Sequence, residues 1–307
     1  MIYALGAFDG FHLGHRRLLE RAARRAAEGG AGWGVMTFEG HPRMLLNGGD
    51  FKMLFSPEER GVIARSLGVP RMEKIPFTRE FASLSPEGFA GFIAERYGID
   101  GLVVGENFRF AKNRAGDPRV LAELSAERGW SLDVMPSYRI GGCVVSSTET
   151  RIAVSCGQMR RAAELLGYPF MISGEVSHGD ERGRKIGFRT ANIAMRKNKV
   201  YPPFGVYAAL VSIDGGWLAA ALNVGDNPTF GGGAEPRCEA HILDYGGTLY
   251  GKTLTLFIVS EIRGEMKFAS AHELAEQISH DAAECSIACR GYLSRNEAAM
   301  RKFAALL

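Results

Sequence analysis

The sequence predicts an α/β N-terminal domain on a parallel, doubly wound sheet, followed by a mainly-β C-terminal domain that ends in a helix. Three observations carry this expectation. Up to about residue 167, short apolar runs alternate with helical patterns. The helical patterns repeat one grammar of start and stop signals. After Gly167 the apolar runs follow one another with no long helical pattern until about Ser270.

The N-terminal runs are "IYALGAF", "GVMTF", "MEKIPF", "GLVVG" and "SLDVM". They are short and mainly apolar, as buried strands of a parallel sheet are. Between them, Ser56-Pro57-Glu58-Glu59 combines an N-cap, a proline at the first helical position and a capping-box glutamate, and Gly68 ends that helix. Ser85-Pro86 opens a second helix and Gly98 closes it; Asp117-Pro118 opens a third and Gly129 closes it. Strand, helix and strand in this order make βαβ units. A helical segment from about 148 to 166, with Gly157 inside it, joins the halves. The expected division is 1–156, a linker helix at 157–169, and 170–307.

In the second half "FMISGEV", "GVYAALVSI", "WLAAALNV", "CEAHILDY" and "LTLFIV" read as strands, and Asp214-Gly215-Gly216 as a hairpin turn. From Ser270, "SAHELAEQISHDAAECSIACRGYL" carries apolar residues at helical spacing. A β-barrel or sandwich with a packed C-terminal helix follows.

Bulk properties narrow the function classes. The 307 residues are too many for one ordinary core. Hydrophobic residues make up 46% and charged residues 23%, as in soluble globular proteins. The apolar runs fall far short of the ~18 residues that suggest a membrane span. "MIYALGAFDG" lacks the basic and long apolar regions of a secretory signal. Cysteines 143, 156, 238, 285 and 289 form no C-x-x-C pair, so neither a zinc site nor a disulfide framework is indicated and a reducing cytoplasm is expected. A net charge of +3 is too weak to argue for nucleic acid as the main partner.

Chemistry concentrates first at "GAFDGFHLGH", Gly6 to His15, where the first strand hands over to a helix. Helix N-termini carry unpaired N–H groups and favour anions. Gly10 and Gly14 let the backbone approach a phosphate, and His12 and His15 can donate to its oxygens as charge develops. An isolated H-x-x-H is also what a loop with surface histidines shows; the complete string after a strand favours the site. The whole string resembles the H-x-G-H signature of the nucleotidylyltransferase superfamily. Its longer form is similar to the G-x-F-D-G-x-H-x-G-H of bacterial bifunctional riboflavin kinase/FMN adenylyltransferases, also called FAD synthetases. "TFEGHPRMLL" resembles that family's T-F-x-P-H-P-R with Gly40 for proline. "FASLSPEGF" and "VVGENFRFAKNRAGD" resemble its flavin-side segments, with Ala111 where glycine is usual. "VVSSTETR" resembles its S-S-T-x-I-R, with Thr150 for isoleucine.

This resemblance implies a Rossmann-like nucleotidylyltransferase domain and a riboflavin-kinase-type barrel. Gly6, Phe8, Asp9, Gly10, Gly14, Ser147 and Thr148 would hold nucleotide. His12, His15 and Arg151 would act on the triphosphate, the histidines stabilising the α-phosphate as pyrophosphate leaves. From the residues alone, Ser147 and Thr148 read as hydroxyls able to cap the following helix. Asn107, Phe108 and Arg109 follow "LVVG", at the carboxyl edge where open α/β sheets bind ligands. Phe108 there suits either a flavin ring or the core.

In the second half "GDERGRKIGFRTANIA" is a basic glycine-rich loop, a pattern shared by phosphate sites and hairpin tips. It resembles the riboflavin kinase motif G-R-x-L-G-F-P-T-A-N, with Arg189 at the proline. The resemblance implies nucleotide contacts from Gly183, Lys185 and Gly187, and Mg²⁺ and ATP phosphates at Thr190 and Asn192. It places the catalytic base at Glu239 and flavin contacts at Arg263 and Glu265. Without it, Glu239 reads as a carboxylate on the solvent side of a strand, and Arg263 and Glu265 as exposed ion-pair formers. The expected reactions are phosphorylation of riboflavin to FMN and adenylylation of FMN to FAD. ATP is the co-substrate of both, Mg²⁺ the metal, FMN and FAD the products. The expected partners are these small molecules, with neither nucleic acid nor membrane.

Overall fold

The computed structural model describes residues 1–46, 51–177, 188–225 and 237–307. It divides into two compact units, Met1–Glu149 and Thr150–Leu307.

In the first unit, β1 (Ile2–Leu5), β2 (Trp33–Glu39), β3 (Met72–Pro76), β4 (Gly101–Gly105) and β5 (Ser131–Met135) form a parallel sheet in the order β3-β2-β1-β4-β5. All five lie where the apolar runs put them. β1 is buried along its whole length and β4 along all but its last residue. Tyr3, Leu5, Met36, Leu102 and Val104 share one core with Phe89, Phe110 and Leu121 from the connections.

The connections carry α1 (Leu13–Glu28), α2 (Pro42–Leu46), α3 (Pro57–Ser66), α4 (Arg79–Ala82), α5 (Pro86–Arg96) and α6 (Pro118–Glu127). The start signals act as written. Ser56 and Glu59 make a reciprocal capping box. Ser85 accepts from Gly88 N–H, and Asp117 from Arg119 and Val120 N–H. Gly68 and Gly129 stop their helices at φ +73° and +71°, a left-handed conformation that glycine adopts without steric cost. Two short helices come in addition to the expected elements: α2, which starts at Pro42, and α4, which Thr78 caps by accepting from Phe81 N–H. A small hairpin, β6 (Arg139–Ile140) and β7 (Cys143–Val144), adds to them, its turn Gly141-Gly142 at positive φ.

The second unit takes in most of α7 (Ser147–Ser155) and all of α8 (Met159–Leu166). The expected single helical segment is thus two helices, broken at Gly157 with φ +73°. Then come β8 (Phe170–Ser177), β9 (Ala191–Ile193), β10 (Gly205–Ile213), β11 (Gly216–Gly225), β12 (Arg237–Ile242), β13 (Thr253–Gly264) and α9 (Ala271–Ala304). Among the described residues, the strands close a barrel in the order β10-β11-β12-β9-β8-β13, which decides barrel over sandwich. Asp214 and Gly215, both at positive φ, make the hairpin turn between β10 and β11.

α9 packs on the barrel through Cys285, Cys289, Met300 and Phe303. Cys289 Sγ donates to the Ala209 carbonyl at 3.2 Å, and Phe303 meets Phe257 with ring centres 5.0 Å apart. Burial pushes the Cys289 thiol up to about 12, so it stays protonated. A part-buried ion pair adds to this: Arg263 Nε and Nη2 grip the buried Asp281 carboxylate at 2.8–3.1 Å.

Candidate active site

The strand order reverses between β1 and β4. Open α/β sheets bind ligands outside the carboxyl ends of the strands at such a switch point. The loop Gly6–His12 leaves β1 there, and Glu106–Arg109 leaves β4. The structure therefore brings the two stretches to one edge of the sheet.

The first loop is strained. Phe8 and Phe11 sit at φ +46° and +41°, although neither is glycine. Such residues cost on the order of 1–3 kcal/mol each and persist only where their surroundings over-determine them. Both rings are fully buried, 5.3 Å apart, and Phe8 lies 4.8 Å from the His15 ring.

His12 is the N-cap of α1, with φ −60° and ψ 170°. Its Nδ1 accepts from His15 N–H at 3.2 Å, as a serine cap would. That bond needs the Nδ1 lone pair, so neutral His12 carries its proton on Nε2. The His12 and His15 rings stack with centres 3.6 Å apart at 15°. Gly14 makes room for this: a Cβ there would meet two His12 ring atoms at 3.1 Å. Burial, then His12, then Arg60 hold His15 well below the usual histidine range, so it is neutral at pH 7. Its Nδ1 is buried with no hydrogen-bond partner among the described residues.

Asp9 is fully buried, and both its carboxylate oxygens accept from Leu54 N–H at 3.1 Å. It latches the loop to the segment entering α3. Gly6 would place a Cβ 3.3 Å from the Phe8 ring, and Gly10 is buried in the same turn. At the end of β4, Phe108 is half-buried on the core and stacks on Phe110 with centres 5.6 Å apart. Asn107 and Arg109 are exposed, and Arg109 donates to the Phe108 carbonyl at 2.7 Å. Ala111 holds φ +66°, the conformation that makes glycine usual there. Gly40 holds φ +70°, which proline cannot adopt, so the two departures are opposite in kind.

Ser147 and Thr148 depart from expectation. Ser146 Oγ, not theirs, accepts from Glu149 N–H at 3.2 Å, and both lie inside the first turn of α7. One residue of register moves the cap and leaves the Ser147 and Thr148 hydroxyls out of that bond. Arg151 follows on α7, half-buried.

In the barrel, strand register assembles the site. Glu239 on β12 stands directly opposite Asn192 on β9 and opposite Asn223 on β11. Opposed residues share a sheet face, with Cβ atoms roughly 4.5–5.5 Å apart. Cys238, Ala240, Ala191 and Ile193 are buried on the other face, while Glu239 and Asn192 are half-buried. Thr190 and Asn192 line a cavity of about 340 Å³ with Arg189, Tyr245, Thr248 and Tyr250. The Arg189 guanidinium donates to the Gly246 carbonyl at 2.9 Å, and its own carbonyl meets His241 Nδ1 at 2.8 Å. It is exposed but tethered, not simply turned to solvent. Gly183, Lys185 and Gly187 lie outside the described residues. The Arg263 guanidinium is engaged by Asp281 and the Gly264 carbonyl, so its ion pair is part-buried where an exposed one was expected. Glu265 Oε1 lies 3.7 Å from where a Gly225 Cβ would stand, at the end of β11.

Sequence reasoning missed Thr37 and Arg60. Thr37 Oγ1 donates to the Ala7 carbonyl at 2.8 Å; Arg60 Nη2 donates to the same oxygen at 2.9 Å and to Thr37 Oγ1 at 2.7 Å. The available signal was an arginine on the apolar face of a capped helix, three residues before Ile63.

Sheet and barrel together define a two-domain transferase, one unit with a strand-to-helix turn of the kind that favours anions and the other with a carboxylate opposite Asn192, which lines a cavity. The FAD synthetase family model matches residues 1–149 and the riboflavin kinase model residues 166–288. The chain belongs to the bifunctional riboflavin kinase/FMN adenylyltransferase family. It is 33% identical to the enzyme of that name from Pseudomonas fluorescens over 92% of this chain and 91% of the relative. It is 34% identical to that of Escherichia coli K12 over 91% and 90%, and 33% identical to that of Bacillus subtilis 168 over 92% and 90%. A solved structure from Streptococcus pneumoniae, described as a macrolide-efflux protein, matches with TM-score 0.83 and 30% identity over 93% of both chains. Among the described residues of this chain, no helix is long and apolar enough to cross a membrane.

Proposed function

We propose that the chain phosphorylates riboflavin to FMN at the barrel site and adenylylates FMN to FAD at the sheet site, with ATP as co-substrate of both. The observation that carries this reading is the tandem of matches, FAD synthetase then riboflavin kinase, each over a unit with its own candidate site.

At the sheet site the FMN phosphate attacks the α-phosphorus of ATP and pyrophosphate leaves. His12 Nε2–H, with neutral His15 stacked on it, donates to the oxygens where charge builds. Gly14 keeps the His12 ring in place, and Gly6, Phe8, Gly10, Ser147 and Thr148 shape the nucleotide cradle. Asp9 acts through the loop it latches, because a carboxylate in direct contact would repel phosphate. Arg151 neutralises the triphosphate. Asn107, Phe108 and Arg109 receive the flavin on the adjoining β4 edge.

At the barrel site Glu239 accepts the proton of the riboflavin 5′-hydroxyl as that oxygen attacks the γ-phosphorus, and ADP leaves. Thr190 and Asn192 offer neutral oxygens at one cavity, a donor set that suits Mg²⁺ arriving on ATP phosphates. Bound there, Mg²⁺ would offset charge on the transferred phosphoryl group. Glu265 borders the flavin, and Arg263 holds that segment to α9 through Asp281. We divide the chain into an adenylyltransferase part at 1–156, a connection at 157–169 and a kinase part at 170–307, and place it in the cytoplasm, whose reducing pool suits its free thiols.

The test is to incubate the pure chain with riboflavin and Mg-ATP and resolve the flavins by chromatography. FMN should rise first and FAD follow. FMN without FAD, or FAD only from supplied FMN, would remove one of the two activities.

A further inference from the structure

We infer that Arg60 is a positioning residue of the adenylyltransferase site: through the Ala7 carbonyl and the Thr37 hydroxyl, its buried guanidinium sets the strained turn that carries His12 and His15. The inference rests on the adenylyltransferase reading above.

Arg60 lies on α3, is 4% exposed, and donates from Nη2 to the Ala7 carbonyl and to Thr37 Oγ1. The acceptor it shares with Thr37 is the carbonyl of Ala7, the residue before Phe8. Peptide units are planar, so rotation about the Phe8 N–Cα bond swings that carbonyl. Fixing the oxygen therefore fixes φ of Phe8, which stands at +46°. Phe8 in turn packs against His15, and His15 stacks on His12. An unbroken run of contacts thus leads from Arg60 to both imidazoles. Asp9 provides a second attachment, since its carboxylate holds Leu54 N–H just ahead of α3. The turn is tied to the α3 segment at two points, one on each side of Phe8. The charge of Asp9 also favours the Arg60 cation, which offsets part of the cost of burying it.

The test compares Arg60→Met, Arg60→Lys, Thr37→Val and the Arg60→Met/Thr37→Val double variant in the full chain. Methionine keeps volume and removes both bonds; lysine keeps a charge and enough N–H donors for both acceptors. A misplaced constellation loses rate more than binding, so Arg60→Met should lower kcat for FAD formation from supplied FMN by roughly 10- to 100-fold. KM for ATP and FMN should move less than about threefold, because binding contacts remain. Lysine should recover most of the loss. Thr37→Val should fall in the same direction, and the double variant should be no worse than Arg60→Met by more than about twofold, since both act through one oxygen. Riboflavin phosphorylation should be unchanged, and an unshifted melting transition of the sheet unit checks that this unit folds. A raised KM at parent kcat, a lysine variant as slow as methionine, or losses that multiply in the double would overturn the inference. Should Arg60→Met fail to fold, the lysine and valine variants decide alone. A parent chain that makes no FAD would refute the adenylyltransferase reading instead. The positioning would then be judged by imidazole NMR signals of His12 and His15, which must shift in Thr37→Val; unshifted signals would overturn it.

Discussion

The candidate sheet site draws both its histidines from one stretch, Gly6–His15, whereas the candidate barrel site draws on β9, β11 and β12, which meet only through register. The first is local in sequence and costly in backbone strain; Phe8 and Phe11 hold left-handed φ values. The second is long-range in sequence, and its row Asn192, Glu239, Asn223 lies on regular strands. A strand-to-helix turn supplies free N–H groups and a dipole for phosphate. A barrel wall supplies a flat row of side chains that can set a base beside a metal-binding oxygen. On the proposed assignment each reaction has its own architecture, and the two should fail independently.

The largest expected effect is on the barrel. Glu239→Gln keeps shape but cannot take a proton, so FMN formation should fall roughly 10²–10⁴-fold. FAD formation from supplied FMN should continue at the parent rate, checked by the same chromatography. Kinase turnover undiminished would remove Glu239 from the chemistry.

Next comes the sheet site. His15→Ala or His12→Ala should cost about 10²–10³ in FAD formation, the usual loss for one charge-stabilising donor, while riboflavin phosphorylation persists. Loss of FMN formation from either change would undo the independence of the sites.

A third change tests packing under the flavin-side loop. A Cβ on Gly116 would lie 2.4 Å from Phe110 ring atoms, which are buried in the core. Overpacking of this kind costs typically 1–3 kcal/mol, so Gly116→Ala should lower the melting temperature of the sheet unit and spare that of the barrel. An unchanged first transition would show that the ring can move aside.

The pH response separates the sites more finely. His15 has a folded pKa well below its unfolded value of about 6.5. Between those values the unfolded chain binds a proton that the folded one does not. His15 therefore contributes stability to the sheet unit above about pH 6.5, and that contribution is lost as pH falls through the folded pKa. An NMR titration should show the His15 ring still neutral at pH 6; a midpoint at or above 6.5 would contradict its desolvation. Smallest of all is Arg189→Ala, which removes an exposed bond to the Gly246 carbonyl. Mg-ATP affinity of the barrel should change less than about fivefold, the scale of a net hydrogen bond of ~0.5–1 kcal/mol. A tenfold loss would mean that the guanidinium reaches phosphate.

The same contrast explains what the sequence made legible. Contiguous features were readable: the strands of the sheet, the caps at Ser56, Ser85 and Asp117, and the turn from Gly6 to His15. β9 was not, because three residues carry too little pattern to mark a strand. The β6–β7 hairpin had a signal, Gly141-Gly142 between apolar residues, that went unread. The cap at Ser146 was missed by one residue because three hydroxyls stand in a row there. Thr37 and Arg60 touch the loop only after β2 and α3 have folded against it, and no local spacing encodes that. The bond of Arg263 to Asp281 likewise depends on where α9 lands on β13. The resemblance placed Asn192 and Glu239 in one site, but only the register shows that they are neighbours.

The independence of the two sites is tested most directly by mixing two disabled chains. His15→Ala should convert riboflavin to FMN and stop, and Glu239→Gln should make FAD only from supplied FMN. Combined with riboflavin and Mg-ATP, the two should form FAD at a rate approaching the slower parent step, because FMN released by one chain is taken up by the other. If the mixture accumulates neither FMN nor FAD, or if His15→Ala alone makes FAD from riboflavin, the assignment of one reaction to each unit is wrong.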